Sequence, residues 1–223
     1  MTQPNLLEAV EFAENPEPRC PCILLLDTSG SMAGEPIAAL ARGLETFREH
    51  LVKDTLASRR VEVAVITFNS EVTLASDFVT ADNFVPPALV PQYQTFMGSA
   101  INFALDTAQQ RKEVYKRNSA AYYRPWIFMI TDGAPQGEHE SVVAQATARL
   151  REAEAGKKVA FFAVGVEGAD MNRLAAISPR QPVKLTGLNF VEMFVWLSAS
   201  MQKVSQSNPD DQVALPPAGW TTV

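Results

Sequence analysis

The sequence predicts an α/β protein built on an open, doubly wound, mostly parallel sheet with one antiparallel edge strand and helices on both faces. Three observations carry that expectation. Short apolar or β-branched runs at 22–26, 61–68, 125–131 and 159–164 alternate with longer stretches of helical period. Connections of that length are what parallel strands in series need. The first run ends in Asp27-Thr28-Ser29-Gly30-Ser31, a polar turn at the C-terminal end of a strand, where open α/β sheets build their sites.

The elements follow in order. Residues 1–19 carry Asn15-Pro16-Glu17-Pro18 and read as an edge strand or loose arm with Leu6, Leu7, Val10 and Phe12 free to pack. Residues 20–204 make the domain, and 205–223 a polar, proline-containing tail. After the strand at 22–26, Ile37, Leu40, Leu44, Phe47, Leu51 and Leu56 recur at near-helical spacing, which places an amphipathic helix over 35–57 with Pro36 in its first turn. The β-branched run 61–68 is a strand, and Asn69-Ser70 turns the chain into a second extended run, 71–79, the antiparallel edge. Pro86, Pro87 and Pro91 make the next stretch a surface loop that delivers Thr95 and Gly98 to a helix over 99–117. Then come a strand at 125–131, the loop Asp132-Gly133-Ala134-Pro135, a helix over 140–155 stopped at Gly156, a strand at 159–164, a helix over 169–177, a strand at 182–185 and a helix over 190–204. Trp220 in the tail either docks back or stands exposed.

Composition excludes several classes of function. With 47% hydrophobic residues over 223, the chain can fill one core. Its formal net charge is -6, and no Lys/Arg block or basic recognition helix is present, so nucleic acid has nothing to hold. No apolar run is long enough to span a bilayer. Cys20 and Cys22 are the only cysteines; they are expected on opposite faces of the first strand, too weak a pair to argue for zinc. Low cysteine use and the lack of a leader-like stretch lead to a cytoplasmic expectation. Tyr115, Tyr122 and Tyr123 among Arg111, Lys112, Lys116, Arg117 and Arg124 read as a solvated helix end facing another surface.

The chemistry concentrates at the first turn. Asp27, Ser29 and Ser31 can present oxygens to one point at about 2 Å, and an all-oxygen set suits a hard divalent cation such as Mg²⁺. Asp27 could instead cap the turn, with the serines as ordinary loop hydroxyls. Met32 and Met97 flank the turn and the Thr95 loop, either as core contacts or as an apolar rim.

Asp27-x-Ser29-x-Ser31, Thr95 in a proline-bearing loop before a helix, and Thr131-Asp132-Gly133 after an apolar strand resemble the metal-ion-dependent adhesion site of von Willebrand factor A domains. The likeness runs over roughly 20–204. Within that family, the run from Leu26 to Gly34 and the closing stretch from Leu188 to Ser198 resemble the tellurium-resistance TerY-like group of bacterial proteins. The resemblance implies that Ser29, Ser31 and Thr95 ligate Mg²⁺ directly, while Asp27 and Asp132 hold it through water or from behind; the sequence does not choose between Mg²⁺, Mn²⁺ and Ca²⁺. It implies a non-enzymatic module that captures a partner's Asp or Glu. In a TerY-like setting it also implies tellurite or related stress resistance, with a protein kinase and a PP2C-like phosphatase as partners.

Two other readings stand beside it. A metal-dependent phosphohydrolase would use Asp27 as nucleophile, but it needs a second carboxylate two residues on, where this chain has Ser29. A scaffold with a vestigial metal site is the other. No G-x-S-x-G elbow, G-x-G-x-x-G or Walker loop is present.

Overall fold

The computed structural model describes residues 6–209 and 211–222. A single seven-stranded sheet runs in the order β3-β2-β1-β4-β5-β6-β7, with β1 (Cys20–Asp27), β2 (Val61–Phe68), β3 (Val72–Thr80), β4 (Trp126–Thr131), β5 (Ala160–Gly165), β6 (Val183–Leu185) and β7 (Thr221–Thr222). Strands β2, β1, β4, β5 and β6 are parallel. β3 is antiparallel to β2, the edge expected from the Asn69-Ser70 turn.

All eight residues of β1 are buried because helices cover both faces. Leu24 and Leu26 face α2 (Glu35–Lys53) and α7 (Phe190–Ser205), while Ile23 and Leu25 face α4 (Met97–Arg117), α5 (Glu140–Ala155) and α6 (Met171–Ile177). Small residues bring the layers close. A Cβ on Gly43 would lie 2.5 Å from the Phe194 ring, and one on Gly98 would lie 2.8 Å from Val143 Cα. Met32 and Met97 are both fully buried core residues.

Three expectations need correction. Residues 1–19 are not an edge strand or loose arm throughout, since α1 (Leu6–Glu14) is a helix. Its run of Leu, Ala and Glu has strong helix propensity, and Pro16 and Pro18 stop it. Cys20 and Cys22 share the α2/α7 face, because residues two apart on a strand point the same way, and both are free and buried. The helix expected over 35–57 ends at Lys53; Asp54 then accepts from the backbone N–H groups of Leu56 and Ala57 and starts a short separate helix, α3 (Ala57–Arg60).

The tail also takes a definite course. Trp220 docks edge-on to Trp196 at 5.5 Å between ring centres, Trp196 Nε1 donates to Pro216 O at 2.8 Å, and β7 pairs antiparallel with β6. The tail thereby covers the sheet edge opposite β3.

Candidate metal centre

The strand order reverses at β1, whose neighbours β2 and β4 leave from opposite sides, and a crevice opens at the C-terminal ends of β1 and β4. Asp27 is the last residue of β1 and Asp132 follows β4. Asp27 is fully buried. Its Oδ1 accepts from the Ser29 N–H at 2.8 Å and its Oδ2 from the Thr131 hydroxyl at 2.5 Å. Ser31 Oγ donates to Asp132 Oδ1 at 2.9 Å and lies 3.0 Å from Ser29 Oγ. Ser31 has only one hydroxyl hydrogen, so Ser29 donates to Ser31 and the three side chains form a relay.

Thr95 joins from a third loop. Its side chain is buried, with Oγ1 3.9 Å from where a Cβ on Gly133 would stand, beside Asp132. The loop is held from both sides. Gln92 N–H donates to Thr28 O at 2.7 Å and Gly30 N–H to Tyr93 O at 3.0 Å, while Thr95 and Gln136 exchange backbone bonds of 3.1 and 3.0 Å. All five residues expected from the sequence therefore sit on three neighbouring loops at this end of the sheet.

The charges there are unbalanced. Burial pushes the Asp27 carboxyl up from 3.8 to about 6, against the hydrogen bonds from Thr131 and Ser29, and the Asp132 charge adds to the rise. Asp132 is also raised by burial, with Ser31 pulling the other way. No cationic side chain contributes to either shift. Two carboxylates, one close enough to raise the other, and three hydroxyls on neighbouring loops are a donor set that fits a hard divalent ion. Among the described residues no group of three His, Cys, Asp or Glu could hold a metal, so softer N/S sites have no counterpart here.

Several supporting roles were not assigned from the sequence. Thr131 aims Asp27, and Gln136 fixes Thr95. Glu138 accepts from the backbone N–H groups of Gly98 at 2.5 Å and Ser99 at 3.0 Å and from the Ser99 hydroxyl at 3.0 Å, capping α4 directly behind Thr95. Only Thr131 had a signal, its place beside Asp132.

The von Willebrand factor type A domain model matches residues 22–193. The chain belongs to that family. No curated protein is a sequence match. Among solved structures, the type A fold of this chain resembles the pilus adhesin SpaC from Lactobacillus rhamnosus GG, with 15% identity, TM-score 0.63 and coverage of 84% of this chain and 30% of that one. It also resembles a D319A mutant of the PilB minor pilin from Streptococcus sanguinis, at 12% identity, TM-score 0.61 and coverage of 85% and 63%. A third is proximal thread matrix protein 1 from the mussel byssus with a zinc-occupied MIDAS motif, at 18% identity, TM-score 0.54 and coverage of 85% and 46%. The chain spans less than two thirds of each of these, and at such identities the likeness is one of fold.

The cytoplasmic expectation is corrected by these comparisons. The matched structures are a minor pilin, a byssus matrix protein and a pilus adhesin, and none of them bears out a cytoplasmic setting. The cysteine argument behind it also fails, because Cys20 and Cys22 are free through burial in the core and report packing rather than compartment. Among the described residues no helix is long and apolar enough to cross a membrane.

Proposed function

We propose that this type A domain is a divalent-cation-dependent protein-binding module. Ser29, Ser31 and Thr95 ligate Mg²⁺, Asp27 and Asp132 stand behind them, and an Asp or Glu of a partner protein completes the ion's shell. The observation that carries this reading is the pair of neighbouring carboxylates, Asp27 and Asp132, with the hydroxyls of Ser29, Ser31 and Thr95 beside them and no cationic side chain contributing to either carboxyl's shift. Hydroxyl ligands leave most of the ion's charge uncancelled, so it attracts an outside carboxylate. Mn²⁺ or Ca²⁺ would fit the same oxygens less selectively, and zinc is the ion named for the byssus protein.

Binding is favoured over hydrolysis by the state of Asp27. Both of its oxygens accept hydrogen bonds and the side chain is buried, which takes it out of reach as a nucleophile. The spelling from Leu26 to Gly34 supports a finer reading, a TerY-like role in tellurite or related stress resistance with a protein kinase and a PP2C-like phosphatase as partners. Gene neighbourhood tests that assignment independently of the metal.

The direct test is calorimetric titration of Mg²⁺ into chelator-treated protein, then of the candidate phosphatase or kinase in Mg²⁺ and in EDTA. Wild type binds the ion with one site and captures the partner only when the ion is present. Thr95→Ala keeps the fold and loses both. Equal capture by wild type, Thr95→Ala and the chelated protein removes the ion from the mechanism.

A further inference from the structure

At the opposite pole from the metal centre, the last turns of α4 and α5 enclose a groove of about 560 Å³ that reaches the start of β5. Leu105, Ala153 and Val159 give it apolar walls, and Lys112 lines it. Lys112 is only 8% exposed. Among the described residues its ammonium makes one hydrogen bond, a long one of 3.3 Å to Lys158 O, and no carboxylate pairs with it. A lysine buried to that degree ordinarily has a counter-ion.

The surrounding charges deepen the imbalance. Burial pushes the Lys112 ammonium below its ordinary range, and the nearby Lys116 and Lys158 push it the same way, against Glu113. The nearby carboxylates are already engaged, Glu113 with Lys116 at 2.9 Å, Glu152 with Lys158 at 3.2 Å, and Asp106 with Arg149. One positive charge at the groove is left over, although the whole chain is acidic. Cations in the last turn of a helix ordinarily answer the helix dipole, which accounts for Lys116. It does not account for Lys112, which lies more than a turn before the end of α4 and lines the groove.

We infer that the α4/α5 groove is a binding site for a small phosphate monoester, whose phosphate sits among Lys112, Lys116 and Lys158 and whose organic body lies along the apolar wall. Ammonium groups on flexible stems suit a phosphate as point charges. The volume exceeds that of a bare ion and falls in the range of small-molecule sites. Tyr122 on the rim belongs to the same surface and stacks on Tyr115 at 5.1 Å, which holds its ring in place.

The test uses the full chain in EDTA, so that the metal centre takes no part. Phenyl phosphate and inorganic phosphate are titrated separately against sodium chloride at matched ionic strength, with phosphorus-31 linewidth and Tm as readouts. Phenyl phosphate should broaden saturably, raise Tm and bind more tightly than inorganic phosphate. Lys112→Met, which keeps the stem and drops the charge, should abolish the response while melting at or above wild type. Lys158→Ala, at an exposed side chain, should weaken binding about tenfold. The inference is overturned if neither ligand gives a saturable response, if Lys112→Met binds phenyl phosphate as wild type does, or if phenyl phosphate binds no tighter than the bare ion. Should Lys112→Met fail to fold, unchanged affinity in both Lys116→Ala and Lys158→Ala overturns it equally.

Discussion

Asp27 and Glu62 are both fully buried carboxylates on adjacent strands, at opposite ends of the sheet. Asp27 receives only neutral donors and faces a second carboxylate, so its charge is opposed. Glu62 is surrounded by cations. Arg19 approaches it at 2.9 Å, Arg111 donates through Nε at 2.9 Å and Nη2 at 2.8 Å, and the Tyr115 hydroxyl donates as well. The Arg111 guanidinium also reaches Glu11 at 3.0 Å, and both arginines lie over the Phe12 ring, which fastens α1 to the domain. At one pole the protein supplies its own counter-charge and gains a fixed joint; at the other the carboxylate meets only neutral donors and a second carboxylate, the opening that the proposed ion would fill.

The sharpest way to break this contrast is to remove each carboxylate in turn. Glu62→Ala leaves Arg19 and Arg111 buried around a gap, so the chain should lose about 3–5 kcal/mol, and urea denaturation measures this with or without Mg²⁺. Asp27→Asn keeps the shape and removes a charge that burial already disfavours. Without metal its stability at neutral pH should equal or exceed that of wild type, while its Mg²⁺ affinity falls at least about 10–100-fold. A large loss of metal-free stability in Asp27→Asn would make the two poles alike.

Acidity separates the poles next. Because the folded-state Asp27 carboxyl sits near 6, above its ordinary 3.8, the folded chain holds this proton more tightly than the unfolded chain. Its contribution to metal-free stability is therefore full below about 3.8 and is lost as pH rises through 6, at most roughly 3 kcal/mol. Mg²⁺ competes with that proton, so the rise in Tm on adding Mg²⁺ should be small at pH 5 and larger at pH 7.5. Thermal melts of wild type and Asp27→Asn at both values check this, and a wild-type Mg²⁺ response independent of pH would detach Asp27 from the ion.

The two poles also differ in how far the sequence reveals them. Asp27, Ser29 and Ser31 sit within five residues at a strand end, and Asp132 repeats that position on another strand, so apolar runs followed by polar turns expose them. Thr95 was visible only through the family resemblance, since its proline-rich loop has no period of its own. Glu62, Arg19, Arg111 and Tyr115 meet across 43 to 53 residues of sequence, and no local pattern joins them. A basic-aromatic stretch containing Arg111 and Tyr115 read as a solvated helix end, yet Tyr115 is fully buried and Tyr123 donates to Ser207 O at 2.5 Å. The sequence shows that charges are present; the fold decides which of them meet.

The subtlest expected effect concerns Glu138, which touches no candidate ligand. Its carboxylate caps α4 at Gly98 and Ser99, and the neighbouring Gln136 bridges Thr95, so the stretch from Gln136 to Glu138 holds the Thr95 loop against the Asp132 loop. Gly137 leaves no slack there, with φ at +84° and no room for a Cβ beside Gln94. Glu138→Ala should cost about 1 kcal/mol as an ordinary lost cap and should also weaken Mg²⁺ about tenfold, because Thr95 is no longer held in register. A cap at the other end of the sheet supplies the control. Asp54 accepts from the Leu56 and Ala57 N–H groups at 3.0 and 2.8 Å ahead of α3, so Asp54→Ala should lower stability similarly and leave Mg²⁺ affinity unchanged. If both variants weaken the ion equally, Glu138 acts only through overall stability. If Glu138→Ala alone does so and Glu138→Gln restores part of the affinity, the cap on α4 is part of what preforms the metal centre.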